Sequence, residues 1–91
     1  MMMLVLPSEL MHSQANACLQ MLVQGLASQP GTAVVVDAAG LARFDSSALA
    51  VLLEFRRECL ALGKSLSIGA MPARLRDLAG LYGIGELLPA I

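Results

Sequence analysis

The residues best suited to chemistry are those of the segment Asp45-Ser46-Ser47, together with the one histidine of the chain, His12. A hydroxyl, an imidazole and a carboxylate are the parts of a nucleophilic hydrolase, but Ser46 lacks the glycine-flanked strand-to-helix elbow that exposes such a serine. Asp37 and Asp45 are a candidate general acid–base pair. Both stand where one element ends or the next begins, however, and aspartate there commonly binds its own backbone. Cys18 and Cys59 have neither a metal-ligand spacing nor the count of a disulfide framework, and they read as small core residues. The run Gly80-Leu81-Tyr82-Gly83-Ile84-Gly85 follows a helical segment and lacks the lysine of a phosphate loop. Arg74 and Arg76 fit a solvated helix start. The reading is a non-enzyme with no cofactor and no metal.

Composition narrows the remaining classes. The chain has 91 residues, 57% of them apolar and 14% charged, against about 25% charged in an ordinary soluble domain. This length holds one core, so a single domain over residues 1–91 is expected. A membrane span needs about 20 consecutive apolar residues. The uncharged stretch from Leu10 to Val36 is broken by Gln14, Asn16, Gln20, Gln24, Gln29, Pro30 and Gly31. The start, Met1–Leu6, lacks the basic and cleavage regions of a signal peptide, so a cytoplasmic location is expected. With a net charge of −1 and three aromatic residues, neither the electrostatic footprint nor the stacking platforms of a nucleic-acid binder are present.

The elements that must position the Asp45-Ser46-Ser47 segment follow from punctuation and periodicity. Met1–Leu6 reads as a strand closed by Pro7. A helix capped by Ser13 carries Ala15, Cys18, Leu19, Leu22 and Leu26 at helical spacing and stops near Ser28, before Gln29-Pro30-Gly31. Thr32–Val36 is a continuous β-branched run, the pattern of a strand covered on both faces. Ala38–Phe44 is a connection with room for a helical turn. A long helix from Ser46 to Leu62 is ended by Gly63, Lys64–Ile68 is a strand, and Pro72 opens a last helix running to Gly83. The order β-α-β-α-β-α predicts an α/β layer with right-handed crossovers.

Within the long helix two faces separate at about 100° per residue. Ala48, Leu52, Phe55, Cys59 and Leu62 form an arc expected to face the sheet. Ser46, Ala50, Leu53, Arg57 and Leu60 form a second stripe that cannot share that buried face, and leucine with arginine is a fair composition for an interaction patch. Ser46, at the head of the helix, is placed to cap an orphan N–H. A phosphate on it would suit the helix dipole while burdening any surface docked there.

The run Arg43-Phe44-Asp45-Ser46-Ser47-Ala48-Leu49-Ala50, followed by Leu52-Leu53, resembles the signature of the STAS domain, in which an Asp-Ser-Ser segment opens the central helix. Ser8-Glu9-Leu10, Val34-Val35-Val36-Asp37, Gly63-Lys64-Ser65-Leu66 and Pro72-Ala73-Arg74-Leu75 resemble further family segments in the same order. Met11 and Ala48 stand where many relatives have an acidic residue and a glycine. The resemblance implies a small mixed β-sheet flanked by helices, and the short N-terminal segment departs from it, so that the first edge strand of the usual hairpin is expected to be lacking. The C-terminal run Leu78–Leu88 is most similar to the branch of the family that serves intermembrane phospholipid-transport ABC systems. For that branch the resemblance implies a non-catalytic subunit, peripheral to the inner membrane through its partner and bound to the ATPase subunit. Ser46, Ser47, Ala50, Leu53, Glu54 and Arg57 would form the contact. The alternative within the family is an anti-sigma factor antagonist phosphorylated on Ser46 by an anti-sigma factor kinase.

Overall fold

A computed structural model describes residues 4–91; the part of the N-terminal strand that falls on Met1–Met3 lies outside the described residues. Five strands and three α-helices follow one another: β1 (Leu4–Val5), β2 (Glu9–Leu10), α1 (Ala15–Leu26), β3 (Ala33–Asp37), β4 (Arg43–Phe44), α2 (Ser47–Ala61), β5 (Ser65–Gly69) and α3 (Ala73–Leu81). One sheet has the order β1-β3-β5, and β2 pairs with β4 in a second, two-stranded sheet. Every pairing among the described strands is parallel, where a mixed sheet was expected. Each pair is joined through an intervening helix, and such a crossover returns the chain in its original direction. β1 is an edge of the larger sheet. At the far side Ala90 forms a parallel bridge with Ile68.

The alternation of β3 decides where the core sits. Val34 and Val36 are buried and share a face with Leu66 and Ile68, their partners on β5. α1 and α2 pack on each other and, with Leu22, Leu26, Leu52, Phe55 and Cys59, complete a single cluster with these strand residues. The opposite face carries Ala33 and Ser65, both exposed, and the half-buried Val35 and Ser67, while Val5 at its edge is 55% exposed. The expectation that β3 is covered on both faces is therefore corrected, because the helices that cross between its neighbours lie on one side only.

Local signals set the element boundaries. Gly63, at φ +72°, ends α2 in the left-handed conformation, and the Lys64 amide reaches back to the Cys59 carbonyl (2.9 Å), as in a Schellman closure. Leu62 therefore leaves the helix and is 60% exposed, instead of joining the buried arc of Ala48, Leu52, Phe55 and Cys59. Ser13 does not cap the first helix. It lies inside a 3-10 turn (His12–Gln14) that precedes α1, where the Gln14 side-chain carbonyl accepts the Met11 amide (2.8 Å). Arg43–Phe44, read as the end of a connection, is a strand, since the Ala42 and Arg43 amides both donate to the Ser8 carbonyl. The Lys64 ammonium ties the turn after α1 to the start of β5 by donating to the Gln29 (2.8 Å) and Gly31 carbonyls.

Two neighbouring loops use the left-handed region with opposite suitability. Gly63 occupies it at little cost, whereas Ala70, between β5 and α3, holds φ +53° with a side chain. Gly63→Ala should lower unfolding stability by about 1–2 kcal/mol, and Ala70→Gly should raise it by up to about 1 kcal/mol. Urea titrations of both variants check the pair of signs.

Candidate protein-binding site

The site grows from the junction of β4 with α2. Asp45 is the residue that fixes it: one carboxylate oxygen accepts the Ser47 amide (2.8 Å) and the other accepts the His12 amide (3.2 Å). The first turn of α2 is thereby capped by Asp45, and the Ser46 side chain makes no capping hydrogen bond, so the cap expected of Ser46 belongs to the residue before it. The physical reason is the backbone of Ser46, already helical at φ −62° and ψ −16°, whereas a capping residue holds an extended conformation. The Ser47 amide, with a smaller contribution from that of His12, holds the Asp45 carboxyl below its ordinary range.

The same junction is braced from the other side. Glu9 stands opposite Arg43 in the β2–β4 register and approaches it to 3.6 Å, and the Gln14 side-chain amide donates to Glu9 (3.0 Å). An exposed ion pair of this kind adds little stability; its effect is to keep the start of α1 beside the start of α2. His12 donates to Asp45 through its main-chain amide, and among the described residues no hydrogen bond joins its imidazole to Ser46. Asp37 accepts the Ala39 amide (2.9 Å) and shapes its own loop. Burial raises both cysteine thiols above their ordinary range, the state of inert core cysteines.

Along α2 the second stripe faces outward. Ser46, Ala50, Arg57 and Leu60 are exposed and Leu53 is half-buried. Ser47 and Glu54 are also half-buried, and Glu54 pairs with Arg57 at 3.3 Å. The six residues read as a contact set from the sequence thus occupy one continuous surface. The structure adds residues that sequence reasoning did not select. α3 lies beside the head of α2, with the Arg74 guanidinium 5.4 Å from the centre of the Phe44 ring, a cation–π contact. The C-terminal end of α3 presents Leu81 (80% exposed) and its C-cap Tyr82.

Two open cavities border this surface. One, of about 500 Å³, lies among Phe44, Ser46, Arg74, Asp77, Leu78 and Leu81. The other, of about 430 Å³, is lined by Ser46, Leu49, Ala50, Leu53, Tyr82 and Ile84. Ser46 and Tyr82 belong to both. The exposure of Leu81 and Tyr82 had one visible signal, the pair of glycines around them: Gly83 turns at φ +72° and ends α3 there. Among the described residues no group of three or more histidine, cysteine or acidic side chains is placed to hold a metal.

A parallel β-α-β core whose central helix opens on Asp-Ser-Ser, with an exposed serine and an adjoining apolar surface, is consistent with the STAS fold. A family model described as "Mlab, STAS domain" matches residues 1–89, and the chain belongs to that family. No curated protein matches the chain. STAS domains are in general non-catalytic.

The Asp45 contacts carry a pH signature. A carboxyl whose pKa is lower in the folded chain contributes stability above its unfolded value, about 3.9, and loses it as pH falls through the folded value. Asp45→Ala should therefore be less stable than the parent at neutral pH, with the gap closing below about pH 3.9. Urea titrations between pH 7 and pH 3 measure it; a gap independent of pH would show that the carboxylate charge does nothing there.

Proposed function

We propose that this protein is a non-catalytic subunit of an ABC-type intermembrane phospholipid transporter, the kind that maintains outer-membrane lipid asymmetry. It binds and supports the transporter's ATPase subunit and, through it, the permease. The observation that carries this reading is the exposed stripe of α2 from Ser46 to Leu60, widened by Leu81 and Tyr82 beside it. Apolar side chains flanked by arginine, with cavities between them, have the make-up of an interface core and rim. Ser46, Ser47, Ala50, Leu53, Glu54 and Arg57 make the contact, and Leu81, Tyr82 and Ile84 extend it. No described helix is long and apolar enough to cross a membrane, and the protein reaches the cytoplasmic side of the inner membrane by way of its partner.

A second reading has its own observation. The Ser46 hydroxyl is exposed and makes no capping bond, so it is open to a kinase. In that reading the protein is an anti-sigma factor antagonist, released from its anti-sigma kinase when Ser46 is phosphorylated. Mass spectrometry after incubation with such a kinase would show a phosphate on Ser46; an unmodified serine removes this alternative.

Co-expression with the candidate ATPase subunit tests the first reading. The pair should co-purify, and Leu53→Glu should abolish co-purification while leaving the circular dichroism spectrum unchanged. Failure of the parent chain to co-purify, or an undiminished complex with both Leu53→Glu and Ser46→Trp, would count against it.

A further inference from the structure

The outward stripe of α2 and its N-cap is spaced four, three, four and three apart: the exposed Ser46, Ala50, Arg57 and Leu60 with the half-buried Leu53 among them, while Glu58 and Ala61 are exposed beside it. This is the spacing at which one helix presents a seam to another. The seam covers 15 residues and, at 1.5 Å per residue, runs for about 20 Å. A loop docked end-on at Ser46 would reach only its first turns. We propose that the docked element is an α-helix of the partner, laid along α2 and carrying an acidic residue opposite Arg57. The proposal rests on the docking reading above and specifies what docks.

Charge and shape define this occupant. Arg57 lies within the seam with its side chain 76% exposed, and Glu54 takes one of its donors at 3.3 Å. A guanidinium has five N–H donors, so four remain for an incoming carboxylate. Ala50 and Leu53 on one side of Arg57 and Leu60 on the other offer uncharged holes, and the cavity bounded by Ser46, Leu49, Ala50, Leu53, Tyr82 and Ile84 admits the first apolar knob. A second copy of the chain is a poor complement. In a parallel α2 pair Arg57 meets Arg57. In an antiparallel pair centred on Leu53 each Arg57 meets the Leu49–Ala50 segment; shifting the centre to between Phe55 and Arg56 sets Arg57 opposite Glu54 of the other copy, which its own Arg57 already holds, and leaves Ser46 beyond the end of the facing helix. On the flanks Arg56 and Glu54 have opposite signs, which gives the incoming helix a preferred direction.

The experiment uses the full chain and the ATPase subunit, with affinity measured by titration calorimetry for Ala50→Glu, Leu53→Glu, Arg57→Glu and Leu60→Glu. Glu58→Arg, on the exposed surface beside the seam, is the control. The proposal expects at least a tenfold loss for each of the four and less than twofold for the control. It also expects one acid-to-lysine change on a partner helix to restore binding to Arg57→Glu. Losses confined to Ala50 and Leu53 would overturn the helix while leaving the docking reading intact. No loss at any of the four would end both. A parent chain that is dimeric by light scattering, and monomeric as Leu53→Glu, would make the occupant a second copy and overturn the proposal.

Discussion

The structure depends on burying one face of one sheet. Val34 and Val36 of β3, with Leu66 and Ile68 of β5, need cover, and α1 and α2 supply it from the same side. That packing leaves α2 little freedom. Ala48, Leu49, Val51, Leu52, Phe55 and Cys59 are all turned inward, so what remains outward is a narrow stripe that begins at Ser46. The position of the candidate site follows from the core: the stripe proposed to dock a partner is the part of α2 that the sheet and α1 leave uncovered.

Asp45 converts that packing into a defined surface. Its two oxygens join the turn before α1 to the first turn of α2, and the β2–β4 pair with its Glu9–Arg43 contact holds the same two segments in register. Two segments far apart in the chain, residues 9–14 and 43–47, therefore meet at one corner. Ser46 stands on that corner with its hydroxyl unused. A residue held by neighbours that spend their own polar groups on the backbone is rigidly presented, which lowers the ordering cost of binding.

Much of this was legible because helices of nine residues or more print a period on the sequence. α1, α2 and α3 were readable from their leucines, and the ends of α2 and α3 from Gly63 and Gly83. The outward stripe was readable for the same reason. The two-residue strands β2 and β4 were not, since alternation cannot be recognised over two positions, and their pairing rests on the Ser8 carbonyl and a register that only the folded chain supplies. The cap was misplaced by one residue because serine and aspartate are equally good caps by type; backbone conformation chose Asp45. The open face of the sheet was missed because a run such as Val34-Val35-Val36 looks the same whether one side or both are covered. Leu81 and Tyr82 were read simply as the end of a helix, and their exposure depends on how α3 lies against β4.

The scarcity of charge, 13 residues in 91, takes its meaning from this arrangement. An apolar chain of this size can dispose of its surplus in a second buried sheet face, in a lipid-facing segment or in a surface that is covered later. The outer face of β3 and β5 carries alanine, serine and a half-buried valine, too little to form a second core. No described helix meets the length and hydropathy of a span. Part of the surplus, Leu60, Leu81 and Tyr82 with the half-buried Leu53, gathers around one helix and the segment beside it, while Val5, Met21, Leu62, Leu87 and Ile91 are exposed elsewhere. Six of the 13 charges fall between Arg43 and Glu58, on or next to that helix. Apolar residues concentrated with charges at their margins raise affinity and specificity together, because the first are desolvated on binding and the second penalise partners of the wrong sign.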